Sequence, residues 1–191
     1  MCVAPFGNTL TDGMTDDLGL LFRLAGARRD GGALDDWSAY FEPAGLILQI
    51  PERLAYWCTP LNALTFARTG GDGTHYSLVR VPGIDPAQRP VVMTVPMSDD
   101  PNVIVGENLR DFLALGCRFG YFGLEGLVHQ RAQTIAELAR ARYAEGAREQ
   151  QLRLLQILET AFDLKPWPKP TTHLAELKLR YFSALDIPAR S

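Results

Sequence analysis

Two apolar runs around a glycine-rich turn constrain the fold of this chain more than any other feature. Residues 63–67 and 74–79 are rich in apolar, β-branched and aromatic side chains, and Gly70-Gly71-Asp72-Gly73 lies between them. Glycine adopts positive φ without steric cost and aspartate hydrogen-bonds its own backbone, so the segment predicts a tight antiparallel hairpin. Alternation along the two runs is typical of a sheet with one buried face, to which we assign Leu64, Phe66, Tyr76 and Leu78.

Further strands are predicted on both sides of this hairpin. The apolar run 45–50 is expected to stop at Pro51, the run 90–97 has prolines near both ends, and residues 102–105 form a shorter run. Proline is tolerated at strand ends because it cannot donate to the ladder. Strands that follow one another through turns indicate an antiparallel meander. We expect an α+β fold, with a twisted antiparallel sheet of about five or six strands and helices on one side.

The second half of the chain changes to a helical period. Asn108 is placed to cap a helix that ends at Gly116 and carries Leu109, Phe112 and Leu113 on one face. Residues 124–143 keep a helical rhythm, which resumes after Gly146 and ends near residue 162.

The end of the chain is expected to contain a strap and one more helix. Three prolines within residues 165–170 exclude helix there, so this segment is predicted to be extended and anchored by Trp167. A last helix is predicted over residues 173–185. With 191 residues we expect a single domain over 1–191, with a sheet-rich core over 46–117 and a helical extension over 124–191.

Composition narrows the classes of partner and compartment. The net charge of −3 supplies no global field that would gather nucleic acid or an anionic membrane. Three widely spaced cysteines, Cys2, Cys58 and Cys117, form no disulfide framework or C-x-x-C metal site. No apolar run approaches a membrane span, and no signal peptide is visible at the amino terminus. A soluble cytoplasmic protein is the expectation.

Few residues suggest catalysis or metal binding. Cys58, His75 and Asp72 are the residue types of a nucleophile, its base and an orienting group, which would suit a small hydrolase centred on Cys58. The alternative, which we favour, treats Cys58 as a small core residue and His75 as a residue on the sheet surface. The three histidines fall in separate elements without paired ligand spacing, so no metal and no cofactor is expected.

Two surfaces are candidates for binding another protein. The first lies at the hairpin, where strand alternation places Arg68, His75 and one of the two neighbouring aromatic residues outside the core. We weigh a core position for the aromatic pair above an interface position. The candidate residues are Tyr56, Trp57, Arg68, Asp72 and His75. The second candidate is the basic helical tail around Arg140, Arg142 and Arg148, which would suit an acidic partner.

The hairpin also resembles a known family. The run LTFARTGGDGTHYS over residues 64–77 is similar to the central hairpin of the SUKH superfamily of bacterial immunity proteins and relatives of a yeast cell-wall-synthesis regulator. The strand near 90–92 and the helix with Leu109, Phe112 and Leu113 resemble the family's closing element, so the similarity covers about residues 46–117.

This resemblance implies a non-catalytic protein that neutralises a cognate toxin by masking it. Such masking needs complementary shape and charge but no reactive residue. Two alternatives remain open on the residues alone. One is the hydrolase centred on Cys58, and the other is a regulatory scaffold whose carboxy-terminal helices bind another protein.

Overall fold

The centre of the protein is a five-stranded antiparallel sheet. The structure, a computed structural model, describes residues 15–27, 37–143 and 146–189. Its strands lie in the order β1-β2-β3-β4-β5, so each strand pairs with its neighbour in sequence, and the expected α+β meander is confirmed. The strands are β1 (Ile47–Glu52), β2 (Ala63–Arg68), β3 (His75–Val79), β4 (Val91–Thr94) and β5 (Asn102–Gly106).

The predicted hairpin is present as β2 and β3. The two strands pair antiparallel from Ala63 opposite Val79 to Arg68 opposite His75, with a register shift between Thr65 and Ala67. The prediction that Pro51 ends the first strand is wrong, because β1 continues through it to Glu52. The β1–β2 register shifts between Leu48 and Glu52, and an edge strand tolerates proline at such an irregularity.

Helices lie before and after the five strands in the described ranges. One of them is the helix predicted to follow Asn108. That side chain accepts a hydrogen bond from Asp111 N, and the helix ends at Gly116, as predicted. No helix in the described ranges is long and apolar enough to cross a membrane. The helices are α1 (Asp16–Ala27), α2 (Leu109–Gly116), α3 (Gly126–His129), α4 (Arg131–Ala139), α5 (Glu149–Phe162) and α6 (Pro170–Tyr181).

Two helix predictions need correction. The stretch 124–143 is not continuous, because Gln130 leaves the helical region (φ −139°, ψ 47°) and separates α3 from α4. The last helix is α6, which starts at Pro170, so the prediction that prolines exclude helix from residues 165–170 is wrong at that residue. Proline is accepted in the first turn of a helix, where a missing N–H costs nothing.

One face of the sheet packs against α2 through aromatic rings. Phe66 and Tyr76 both contact Phe112, at ring-centroid distances of 5.9 and 4.7 Å, and Tyr121 joins the same cluster. The Tyr76 hydroxyl donates to the Tyr121 carbonyl, which satisfies a buried polar group in an apolar core. These contacts fix the sheet against the helical layer and determine which residues face the other side.

The proline-rich strap is anchored as predicted. Trp167 is buried, and its indole Nε1 donates to the Asp111 carbonyl over 3.0 Å. In α6, His173 Nε2 lies 2.9 Å from Asp111 Oδ2, so strap and helix both attach to the start of α2. Five short 3-10 turns complete the described ranges, at Trp37–Ala39, Glu42–Ala44, Pro86–Gln88, Phe122–Glu125 and Phe182–Ala184.

Candidate functional site

The second face of the sheet is polar and buried. Arg68, His75, Thr94 and Asn102 lie opposite one another on four neighbouring strands, so their side chains share this face. The last three are almost completely shielded from solvent. The expectation of a sheet with a single buried face is therefore wrong at its centre.

The segment between β1 and β2, residues 53–62, covers this polar face. Thr59 Oγ1 lies 3.0 Å from His75 Nε2, and Asn102 Nδ2 donates to the Cys58 carbonyl over 3.0 Å. Thr94 donates to Asn102 Oδ1 over 2.7 Å, which fixes the orientation of that amide. The segment is thus held to the sheet through side-chain hydrogen bonds in a water-poor layer, where each bond that is broken leaves an unsatisfied group. We call Thr59, His75, Thr94 and Asn102 the polar layer.

His75 is the centre of the polar layer and is neutral. Its Nδ1 lies 2.7 Å from the Gly73 carbonyl, which can only accept, so Nδ1 carries the proton and Nε2 accepts from the Thr59 hydroxyl. Burial lowers the pKa of His75 below its ordinary value of 6.5, the Gly73 carbonyl partly offsets this, and the positive charge of Arg68 lowers it further. The prediction that His75 lies on the sheet surface is wrong, because the 53–62 segment covers it.

Tyr56 and Trp57 lie on the outside of that covering segment. The Tyr56 ring stacks on the His75 imidazole with centroids 5.4 Å apart and an interplanar angle of 22°. Even so, Tyr56 is 42% exposed and Trp57 is 47% exposed. The preferred expectation of a core position for this pair is wrong, and so is the expectation that only one of them lies outside the core.

The remaining predicted residues lie at the adjoining hairpin. Arg68 is exposed at the end of β2, directly opposite His75, and Asp72 is exposed in the turn. Gly73 brings the turn close to Tyr56, since a Cβ at Gly73 would lie 3.0 Å from the Tyr56 hydroxyl oxygen. The structure therefore groups the five predicted residues, four on the outside and His75 beneath them. We call Tyr56, Trp57, Arg68 and Asp72 the hairpin surface.

Sequence reasoning missed several apolar side chains around the hairpin surface. Met97 is 80% exposed in the loop after β4, and Phe122 is exposed near the turn, where its ring approaches Gly71. Trp57 and Met97 also line an open groove of about 620 Å³, together with Asp99 and Pro188. The turn residues that follow β4 give no local signal in the sequence that Met97 will line the same groove as Trp57.

The carboxy-terminal segment forms one wall of this groove because it is tied to residues 61–62. Leu61 N donates to the Asp186 carbonyl over 2.7 Å. Asn62 Nδ2 donates to the Ala184 carbonyl, and Asp186 N donates to Asn62 Oδ1. These bonds place Pro188 opposite the loop that carries Met97 and Asp99.

The arrangement of Cys58, His75 and Asp72 differs from a nucleophilic triad. Cys58 is fully buried, and the orienting contact to His75 Nδ1 comes from the Gly73 carbonyl while Asp72 is exposed in the turn. His75 Nε2, the atom that would act as base, lies against the Thr59 hydroxyl, which is also buried. In the described part of the chain, no group of three or more His, Cys, Asp or Glu side chains is arranged to hold a metal ion.

The competing basic tail offers a weaker concentration of charge than its sequence suggests. Arg140 pairs with Glu137 on the same helix, Nη1 to Oε2, over 2.8 Å. Arg142 and Arg148 are exposed on either side of Gly146, outside the ordered helices α4 and α5. The tail therefore presents its positive charges on separate short segments.

Neither a family model, nor a curated protein, nor a solved structure matches this chain. The resemblance of residues 64–77 to the SUKH hairpin accordingly stays a prediction.

Proposed function

We propose that the protein is a non-catalytic protein-binding module that uses the hairpin surface to contact its partner. One observation carries the proposal. Two adjacent aromatic side chains, Tyr56 and Trp57, are exposed to solvent although the segment that bears them is fixed to a buried polar layer.

Exposed and fixed aromatic residues are well suited to binding. Tyrosine and tryptophan bury large areas at interfaces and are enriched among the residues that dominate binding energy. Because Tyr56 stacks on His75, its ring loses less conformational entropy when a partner covers it. Arg68 lies opposite His75, on which Tyr56 stacks, and Asp72 precedes Gly73, which approaches the Tyr56 hydroxyl. The two residues supply charges of both signs for orientation and specificity.

The partner that we propose is a toxin domain, which the protein would neutralise by masking. This part of the proposal rests on the SUKH-like hairpin, and it agrees with a site whose chemistry is recognition rather than reaction. We propose the cytoplasm as the compartment, because the two cysteines in the described ranges, Cys58 and Cys117, are not joined in a disulfide. The hydrolase and scaffold alternatives make different predictions for the same variants.

The proposal is tested by quantitative capture from the native host. Wild-type protein, Trp57→Ala and Leu179→Ala are used as baits; Leu179 is 87% exposed on α6 and serves as a matched apolar control. A protein retained by wild type and by Leu179→Ala but lost by Trp57→Ala is identified, purified and titrated against each bait.

We expect Trp57→Ala to weaken binding by at least about 2 kcal/mol, roughly 30-fold, as for an aromatic residue at the centre of an interface. Loss of binding with Leu179→Ala and not with Trp57→Ala would contradict the proposal and favour the scaffold alternative. Turnover of a substrate by wild type that disappears in Cys58→Ser would favour the hydrolase.

A further inference from the structure

The 53–62 segment, which bears both aromatic residues of the hairpin surface, docks on the sheet through three consecutive residues. Residues 58–60 are buried, whereas residues 55–57 are exposed. The segment forms neither a helix nor a strand. A segment of this kind opens locally at a lower free energy than the strands beside it. The aromatic pair therefore stays in place only while residues 58–60 stay docked.

One of the hydrogen bonds that hold the segment depends on an uncharged imidazole. His75 Nε2 accepts from the Thr59 hydroxyl because Nδ1 donates to the Gly73 carbonyl. From the turn it is this carbonyl that contacts the ring, while the Asp72 carboxylate is exposed. A second proton on the ring would turn Nε2 into a donor, and the buried Thr59 hydroxyl would lose the acceptor for its own proton. Protonation of His75 therefore opposes docking at Thr59.

The side chains that face His75 from the neighbouring elements supply no negative charge. Thr59 and the Tyr56 ring face it from the covering segment, and Thr94 lies opposite it on β4; all three are uncharged. Arg68 lies opposite it on β2 and is positive. A buried charge without a partner of opposite sign is costly, so a protonated His75 favours exposure to water.

We propose that His75 is a pH-sensitive switch of the hairpin surface: in mild acid its protonation releases the 53–62 segment from the sheet, and Tyr56 and Trp57 leave their positions with it. The inference rests on the proposed binding function and adds a regulation to it. At neutral pH the segment is docked and the surface is assembled. In mild acid the surface is lost while the sheet beneath remains folded.

The direction of the pH dependence follows from burial. Burial lowers the pKa of His75 in the docked state below its ordinary value of 6.5, the Gly73 carbonyl partly offsets this, and release to water removes the effect of burial. Below pH 6.5 the released state therefore binds more protons than the docked state, and release is favoured until the docked imidazole is itself protonated. At pH 5, about 1.5 pH units below the ordinary pKa, the equilibrium constant for release is raised by at most about 30-fold.

The test is amide hydrogen exchange of the full chain, followed by NMR between pH 7.5 and pH 5. Rates are expressed as protection factors, which remove the intrinsic pH dependence of exchange. The Thr59 amide, which donates to a carbonyl in its own segment over 3.2 Å, measures release, and the Val79 amide in β3 measures opening of the sheet. His75→Gln removes the titrating ring. His129→Gln is the matched control, because His129 is exposed on α3.

We expect the protection factor of Thr59 to lie at least about tenfold below that of Val79 at every pH, because the segment is released without unfolding of the sheet. Between pH 7.5 and pH 5 it should fall several-fold, and at most about 30-fold, in wild type and in His129→Gln. In His75→Gln it should stay constant within about twofold. Equal protection of Thr59 and Val79, a constant value in wild type, or the same fall in His75→Gln would overturn the inference.

A second measurement covers the case in which His75→Gln does not fold. The imidazole signals of His75 in the wild-type spectra give the fraction of the ring that is protonated at each pH. We expect the fall in Thr59 protection to follow this fraction. A fall that occurs while His75 stays neutral would overturn the inference.

The exchange experiment needs no partner, so its failure is distinct from failure of the proposed function. If Trp57→Ala abolishes partner capture while Thr59 protection is independent of pH, the binding module stands and the switch fails. If Thr59 protection depends on His75 while capture does not depend on Trp57, the proposed function fails, and the regulation of binding fails with it.

Discussion

His75 connects the sheet to the surface that we propose for binding. Its two ring nitrogens are fixed by Gly73 and Thr59, and its ring face supports Tyr56. The residue therefore acts beneath the hairpin surface as a positioning residue. A neutral imidazole with both nitrogens hydrogen-bonded keeps the support for the Tyr56 ring in place. Protonation would turn Nε2 into a second donor, and the Thr59 hydroxyl would then have to accept a hydrogen bond from it.

The stability of the protein should therefore depend on the protonation of His75. Burial lowers its pKa in the folded state below the ordinary value of 6.5. Between the folded-state pKa of His75 and its ordinary value of 6.5, the unfolded chain binds more protons than the folded protein. The free energy of unfolding is therefore greatest above pH 6.5 and falls as the pH drops below it.

We expect urea unfolding between pH 7.5 and pH 5 to show a steeper loss of stability for wild type than for His75→Gln. Histidines at other positions and the carboxylates are common to both proteins, so the difference between their slopes isolates His75. Identical slopes would show that the imidazole titrates alike in the folded and unfolded states.

At the scale of elements, the β2–β3 turn is shaped by a glycine that cannot be replaced freely. Gly73 has φ +80°, and a Cβ there would lie 3.0 Å from the Tyr56 hydroxyl oxygen. Gly71 is in an ordinary backbone region, and a Cβ there would lie 4.0 Å from the Phe122 ring, an ordinary contact. The two positions thus form a matched pair within one turn.

Gly73→Ala is expected to lower the free energy of unfolding by about 1 kcal/mol or more, through positive-φ strain and displacement of Tyr56. Gly71→Ala should stay within about 0.5 kcal/mol of wild type. Chemical denaturation measures both. Equal effects at the two positions would contradict the turn geometry.

The attachment of the helical extension depends on Asp111. Its carboxylate accepts from Glu107 N and contacts His173 Nε2, each over 2.9 Å. We expect Asp111→Ala to cost about 1–3 kcal/mol of unfolding free energy, because two partly buried groups lose their partner. Glu176→Ala is the control, since Glu176 is exposed and lies 3.9 Å from His173. A larger effect at Glu176 would place the anchor elsewhere.

Elements that depend on the chemistry of a few adjacent residues could be predicted from the sequence. The burial of a residue by a segment distant in sequence could not. The Gly-Asp turn and the Asn108 cap each depend on a few adjacent residues, and both are where the sequence predicts them. His75 is buried by the 53–62 segment, and the alternation of residue types within β3 gives no information about that contact. The groove could not be predicted either, because its wall depends on the hydrogen bond from Leu61 N to the carbonyl of Asp186, which is distant in sequence.

Across the whole molecule, two surfaces of different charge are candidates for binding a partner. The chain before His129 contains 15 acidic and 9 basic residues, whereas the remainder contains 7 and 10. The hairpin surface belongs to the acidic part and Arg140 and Arg142 belong to the basic part. Their contributions can be separated by charge reversal.

Hairpin recognition predicts that Arg68→Glu abolishes partner capture, while Arg140→Glu with Arg142→Glu leaves it intact. Tail recognition predicts the opposite, with capture lost as salt rises, because exposed charges are screened beyond about 10 Å at 0.1 M ionic strength. Affinity for the purified partner, measured at low and high salt, distinguishes the two. Thermal unfolding of each variant verifies that the fold is kept.

The most direct measurement of the central claim is photo-cross-linking from the surface itself. A benzophenone amino acid replaces Met97, beside Trp57, in one protein and Leu179, on α6, in another; both positions are highly exposed. On irradiation with the purified partner, binding through the hairpin surface predicts a cross-linked product from position 97 and none from position 179. A product from position 179 alone, or from neither position while the partner remains bound, would contradict it.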